Sequence, residues 1–391
     1  MVTLSRSLLI FSLTFLIVMN WTVGEGFETF GADIPWRSEH FFSRFEVMSS
    51  NFGLNELMAP HYARIFMTSV FQLIHFFFST QFSTIIFNAT IISIFWMISS
   101  SIIKTFFQHF ECEEKILSLV LGFLFTFGPV GFFYFIRLQN NFFFPLAVLA
   151  SYSIIFHIYK DKSVSRFEKI RWVFICLLNF PLSYQAPLLI AGVIALSPFY
   201  LVLSFEKIKR LCLYSSCLFF IGMPGILISY FFGIKDGASE FSSFSLINWV
   251  SQSSSIGFVL GNIADIGWHE NYFVSWHFLT QTSLYLLPST CTVLIIISLL
   301  FISNFSSLGW RIFISTVISI FGSTGTYYSD IYLFISEYTA LWAVRAPWQK
   351  FHVYSECWYI VILCGIIAIF KKEQTNDFSN WIRWFNRKLG S

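Results

Sequence analysis

Two constellations in this sequence carry the residue types that chemistry needs. Arg345 and Lys350 stand five apart in the run Val344-Arg345-Ala346-Pro347-Trp348-Gln349-Lys350-Phe351, with Pro347 fixing the backbone between them and Trp348 alongside. Two cations and an apolar platform suit a phosphate at the level of lipid headgroups, the guanidinium gripping it as a fork and the ammonium as a point charge. Far upstream, Asp33 is held between the turn residue Gly31 and Pro35, so its backbone is bent and restricted. A carboxylate held still can take the proton of an attacking hydroxyl. Each pattern has a plainer reading as well. Aromatic and basic residues anchor chains at membrane interfaces, and a loop aspartate can cap a turn or pair with a neighbour such as Arg37.

Asp33 belongs to a polar island, Thr22 to Pro60, that holds six of the chain's 21 acidic residues: Glu25, Glu28, Asp33, Glu39, Glu46 and Glu56. A third polar stretch runs from Gly261 through Asn262, Asp265, Trp268, His269 and Glu270 to Asn271. Arg37, Glu39, Trp268, His269 and Trp348 are the candidate substrate-binding residues of these three stretches. No His-x-x-x-His or Glu-x-x-His spacing links His269, Glu270, His277 and Asp265, so no metal cage built by the protein is expected. A phosphate-cradling glycine loop and a Gly-x-Ser-x-Gly elbow are also missing from the sequence.

The elements that must position these residues are apolar. The charged fraction is 12%, about half the roughly 25% of soluble domains, and hydrophobic residues make up 56%. Stretches of membrane-spanning length recur at about 7–21, 61–79, 82–103, 116–136, 142–159, 172–203, 211–233, 284–303, 312–329 and 353–370. Strands of a membrane barrel would alternate polar and apolar, and these stretches do not, so the expected fold is all-α: a polytopic transmembrane helical bundle of 10–11 spans. Residues 172–203 are too long for one span and contain Pro181 and Pro187, so two short helices are expected there. The first segment resembles a signal peptide but lacks a small-x-small site before Trp21, and it is read as an uncleaved helix. The 52 phenylalanines are spread through every apolar segment without fixed spacing and read as filler. Seven cysteines without a Cys-x-x-Cys pair predict neither disulfides nor zinc, and a net charge of +3 gives no reason to expect nucleic acid.

Three basic stretches orient the bundle: Lys160 to Arg171, Lys207 to Arg210, and the tail from Lys371 to Lys388. By the positive-inside rule these face the cytoplasm, which puts the loops 22–60, 234–283 and 330–352 outside. Between an outer Pro60 and an inner Lys160 lie four apolar segments where an odd number of crossings is needed. His61 to Phe78, interrupted by Arg64, Gln72 and His75, is therefore read as re-entrant or interfacial. The organisation is one transmembrane domain, 1–370, with 22–60 as its first outer loop. A basic tail, 371–391, follows and would lie on the inner leaflet as an amphipathic helix.

The order of these parts resembles the GT-C superfamily of membrane glycosyltransferases, in particular its bacterial and archaeal arabinofuranosyltransferase-like group. Gly31-Ala32-Asp33-Ile34-Pro35 looks like that group's Gly-x-Asp-x-x-Pro element with the proline one place earlier, and Phe52-Gly53 and Pro60 follow as in its first loop. Phe127-Gly128-Pro129 to Phe144-Pro145-Leu146, Asn179-Phe180-Pro181 to Pro187, and Ile263 to Trp268 are similar to later helices and loops. Val344 to Phe351 is similar to a Phe-Arg-x-Pro-x-Lys-Phe element and is the most specific match. The resemblance implies inverting transfer of a sugar from a polyprenyl-phosphate donor to a glycan or lipid acceptor at the outer face of the cytoplasmic membrane. Asp33 would be the base, and Arg345 and Lys350 would hold the lipid phosphate. No cofactor is implied beyond a divalent cation at that phosphate.

Two rival readings stay open. A noncatalytic membrane scaffold or assembly subunit would need no convergence of Asp33 with Arg345 and Lys350. A lipid or sugar transporter, such as a flippase, would place ionisable residues at midplane or show inverted repeats. The sequence shows no such repeat, and Arg137 and Glu206 sit at segment ends.

Overall fold

A computed structural model describes residues 2–22, 70, 73–128, 143–160, 163–178, 186–200, 204–220, 307–324 and 351–371. Every regular element among them is a helix: α1 (Val2–Thr22), α2 (Thr80–His109), α3 (Lys115–Phe127), α4 (Phe144–Tyr159), α5 (Arg166–Leu178), α6 (Ala186–Ala195), the single turn α7 (Ser197–Tyr200), α8 (Phe205–Phe220), α9 (Ser307–Thr324) and α10 (Phe351–Lys371). Two of them, α10 and the stretch Phe82–His109 of α2, are long and apolar enough to cross a membrane.

Local chemistry sets where these helices begin and end, and it shifts several expected boundaries. The stretch expected to span 116–136 leaves the helix after Phe127. Gly128 is extended, with φ −68° and ψ 170°, because the ring of Pro129 disfavours helical backbone in the residue before it. Residues 61–79 do not continue as a helix to their end: Leu73 to His75 are helical and turns follow at Phe76 to Phe78. The basic stretch Lys160 to Arg171, read from sequence as a loop, is helical from Arg166 onward. The cause is a capping box: the Ser165 amide donates to Glu168 Oε2 (3.1 Å) and the Glu168 amide to Ser165 Oγ (3.2 Å). α4 opens with Pro145, whose missing N–H costs nothing in a first turn. α2 closes in a Schellman turn, with the Cys112 amide on the Phe107 carbonyl (2.9 Å) and the Glu111 amide on that of Gln108 (3.2 Å). Glu111 takes the left-handed position at φ 60°, where glycine is the usual occupant.

That turn folds α3 back along α2. Trp96 Nε1 donates to the Leu119 carbonyl at 2.9 Å, Phe95 stacks on Phe125, and Gly122 lies against Ser100. Small residues at this crossing let two helix backbones approach closely. α1 runs antiparallel on the other side of α2, with Phe15 near its end meeting Phe82 at the start of α2.

The centre of the bundle is α10, buried along nearly its whole length. Trp358 is sandwiched between Tyr152 of α4 (ring centroids 4.0 Å) and Phe199 of α7 (5.4 Å), and its Nε1 donates to Ser315 Oγ of α9 at 2.8 Å. The Tyr152 hydroxyl donates to the Tyr354 carbonyl at 3.0 Å. α10 runs parallel to α4, as Phe144 meets Tyr354 while Tyr152 meets Trp358. It is antiparallel to α3, since Gly128 lies beside Glu356 and Glu114 pairs with Lys371. It is antiparallel to α9 as well, since Gly322 lies against Phe351 and Ser315 meets Trp358.

Polar groups face inward and many large apolar groups outward. Buried hydroxyls close onto carbonyls one turn back: Thr14 on Ile10, Ser93 on Ala89, Thr126 on Gly122, Thr316 on Ile312, and Ser319 and Ser323 in series. Each is satisfied within its own helix. Leu8, Leu9, Leu16, Ile116, Leu124, Phe167, Ile170, Leu177 and Phe370 are exposed.

Candidate functional sites at the two ends of the bundle

The residues whose types carry the expected chemistry, Asp33, Arg37, Glu39, Trp268, His269, Arg345, Trp348 and Lys350, all lie outside the described residues. So does the tail beyond Lys371. The described chain fixes the points from which those segments depart. Because α1 and α3 run antiparallel to α2, and α9 and α10 antiparallel to each other, Thr22, Gly128, Thr324 and Phe351 all lie at one end of the bundle.

At that end, Phe351 fills the space a side chain on Gly322 would need: a Cβ there would lie 2.5 Å from its ring. Phe351 is fully buried, so the residue next to Lys350 is anchored in the core. The first turns of α10 then carry a polar face at helical spacing, with His352, Ser355, Glu356 and Tyr359 all buried. Ser355 Oγ lies 3.2 Å from His352 Nδ1 and donates to the His352 carbonyl at 2.8 Å. The Glu356 carboxylate sits where Gly128 has no side chain, 2.7 Å from the position of a Cβ. Glu356 is the fourth residue of the expected segment 353–370, so this buried carboxyl lies near the start of its segment, as Arg137 and Glu206 lie at the ends of theirs. Scanning for long apolar windows concealed it, because one carboxyl hardly alters the mean of such a window.

The opposite end gathers the end of α2, the start of α3, the end of α4, the start of α5 and the end of α10. Its centre is a buried ion network that sequence reading missed. His157 Nε2 donates to Glu168 Oε1 at 2.8 Å, and Arg171 Nη2 lies 3.7 Å from the same oxygen. Arg171 also reaches across to α2, donating from Nη1 to the Ser101 carbonyl and hydroxyl, both at 3.0 Å, and from Nη2 to Thr105 Oγ1 at 3.2 Å. The rings of His109 and His157 meet edge to face, with centroids 4.4 Å apart. Lys160 Nζ donates to the His109 carbonyl, and Lys371 pairs with Glu114.

The electrostatics follow from these contacts. Burial pushes the Glu168 carboxyl up, but the hydrogen bond and charge of His157, the Ser165 amide and the Arg171 guanidinium outweigh it, so its pKa is lowered to about 2. Burial lowers Arg171 to about 10, against the opposing pull of the Glu168 charge, and it stays cationic at neutral pH. With both carboxylate oxygens engaged, Glu168 is placed to lock α5 onto α4 rather than to accept a proton from a substrate. The sequence did hold one signal for it, the spacing Ser165-x-x-Glu168 before an apolar run. Among the described residues no group of three or more His, Cys, Asp or Glu side chains is arranged to hold a metal ion. Comparison of the chain with protein-family models, with curated proteins and with solved structures finds no match.

Proposed function

We propose that this protein is a multi-pass glycosyltransferase of the cytoplasmic membrane, transferring a sugar from a polyprenyl-phosphate donor to a glycan or lipid acceptor at the outer face. In this reading Asp33 takes the proton of the attacking acceptor hydroxyl. Arg345 and Lys350 hold the phosphate that leaves, and attack from the opposite side inverts the sugar. A divalent cation carried by the lipid phosphate would add charge stabilisation.

The observation that carries the reading is the shared end of the helices. Thr22, the last residue of α1, and Thr324 and Phe351, which flank the segment of Arg345 and Lys350, are anchored on one end of the bundle. Lys160, Arg166, Lys169 and Lys371 lie at the other end, as expected of a cytoplasmic face. The helix directions agree with this topology: with α2 running in, α3 out and α4 in, three crossings would join Pro60 to Lys160, which supports reading 61–79 as a segment that does not cross. Large apolar side chains on the outside, with many buried hydroxyls bonded to carbonyls one turn back, suit a lipid surround.

The test supplies labelled polyprenyl-phosphate sugars to membranes containing wild type or Asp33→Asn at equal abundance. Transfer by wild type and its loss in the variant are expected, and equal transfer by both would remove the proposed base. A second reading, a lipid or sugar transporter, is favoured by one observation: the buried ionisable His352 and Glu356 in the first two turns of α10. Uptake into proteoliposomes without sugar transfer, abolished by Glu356→Gln, would select it.

A further inference from the structure

α5 is amphipathic in two senses. Around its axis, Glu168, Arg171, Trp172, Ile175 and Cys176 face the bundle, while Phe167, Ile170, Val173, Phe174 and Leu177 face outward and are exposed. Along its axis the outward face is apolar for its whole length except at its first turn, where the exposed Arg166 and Lys169 stand. The helix has one acid, Glu168, and it is turned inward onto His157, Arg171 and Ser165. The outer surface of α5 is therefore a run of hydrocarbon ending in the positive charge of Arg166 and Lys169, with the exposed Lys160 at the end of α4.

A soluble protein partner would meet the cations and leave the apolar run in water, and a free anion would ignore that run. A lipid covers both, with acyl chains along the apolar face and the phosphate at its end. We infer that the outward face of α5 is a binding site for an anionic phospholipid of the leaflet at the basic end. The acyl chains lie on Ile170, Phe174 and Leu177, and the phosphate contacts Arg166 and Lys169. The Glu168 network has a part in this: by holding α5 at one rotation about its axis, it keeps the cations outward and the acid inward. The inference rests on the membrane reading but not on sugar transfer.

The experiment places the full chain in nanodiscs of phosphatidylcholine, with and without phosphatidylglycerol, and counts retained lipid by native mass spectrometry. Wild type is expected to retain phosphatidylglycerol in preference. Each cation at a charged bilayer surface is worth about fivefold in affinity, so Arg166→Gln with Lys169→Gln should cut the preference roughly twenty- to thirtyfold. High salt should weaken the preference. Ile170→Ser with Phe174→Ser should lower retention of both lipids alike. All four positions are exposed, so these variants should fold. Equal retention of both headgroups by wild type, or an unchanged preference in the double-glutamine variant, overturns the inference. Displacement of the lipid by inorganic phosphate would overturn it in favour of a free anion. A chain that stays soluble without detergent would instead remove the membrane reading beneath it.

Discussion

His157 on α4 donates a hydrogen bond to Glu168 on α5 at 2.8 Å, inside a site where Arg171 ties the same carboxylate to α2. Three helices from different parts of the chain meet at one acid. Its pKa of about 2 in the folded protein lies below the unfolded carboxylate value of about 4.3. The unfolded chain therefore binds the proton more readily, and the stabilisation is full above the unfolded value and fades as pH falls toward 2. Thermal unfolding in detergent, followed across that window, should show this loss in wild type. Glu168→Gln should flatten the carboxylate-dependent part of the curve. Glu168→Ala should cost about 3–5 kcal/mol at neutral pH, because it strands a buried guanidinium.

The α2–α3 crossing gives a steric prediction. A Cβ on Gly122 would overlap Ser100 Oγ and come within 3.0 Å of the Ser100 backbone nitrogen. The hydroxyl can rotate away but the backbone cannot. Gly122→Ala should destabilise by about 1–3 kcal/mol, with Ser100→Gly in the same chain restoring part of the loss. Equal melting temperatures for wild type and Gly122→Ala would refute the close approach.

Gly322 and Phe351 link the core to the proposed phosphate site. A side chain at Gly322 must push the Phe351 ring, which is next to Lys350. Gly322→Ala should therefore raise the KM for the polyprenyl-phosphate donor severalfold, beyond what its loss of stability explains, and Phe351→Leu in that background should recover it. Donor kinetics at matched folded fraction separate the two effects.

At the proposed phosphate site, Arg345 and Lys350 should respond differently to exchange. Arg345→Lys removes a bidentate fork, and charged hydrogen bonds are worth about 1.5–3 kcal/mol, so kcat/KM should fall roughly ten- to hundredfold. Lys350→Arg keeps the charge and should be tolerated better. The reverse ranking in a transfer assay would assign the fork to Lys350's position instead.

The sequence by itself determined what is local. It made the described chain helical and apolar, and it offered Asp33, Arg345 and Lys350 as chemistry-bearing types, because run length and residue spacing act over a few residues. It also carried the Ser165-x-x-Glu168 cap, which starts α5 at Arg166. Tertiary structure alone decided that His157 meets Glu168, that Gly122 admits Ser100, that Trp358 is clamped by Tyr152, Phe199 and Ser315, and that Thr22, Thr324 and Phe351 share one end. The physical reason is the apolar character of both faces of these helices. Where the outward side is as hydrophobic as the core, hydropathy gives the length of a helix but not its rotation. Rotation is set by which buried polar group finds its partner on another helix.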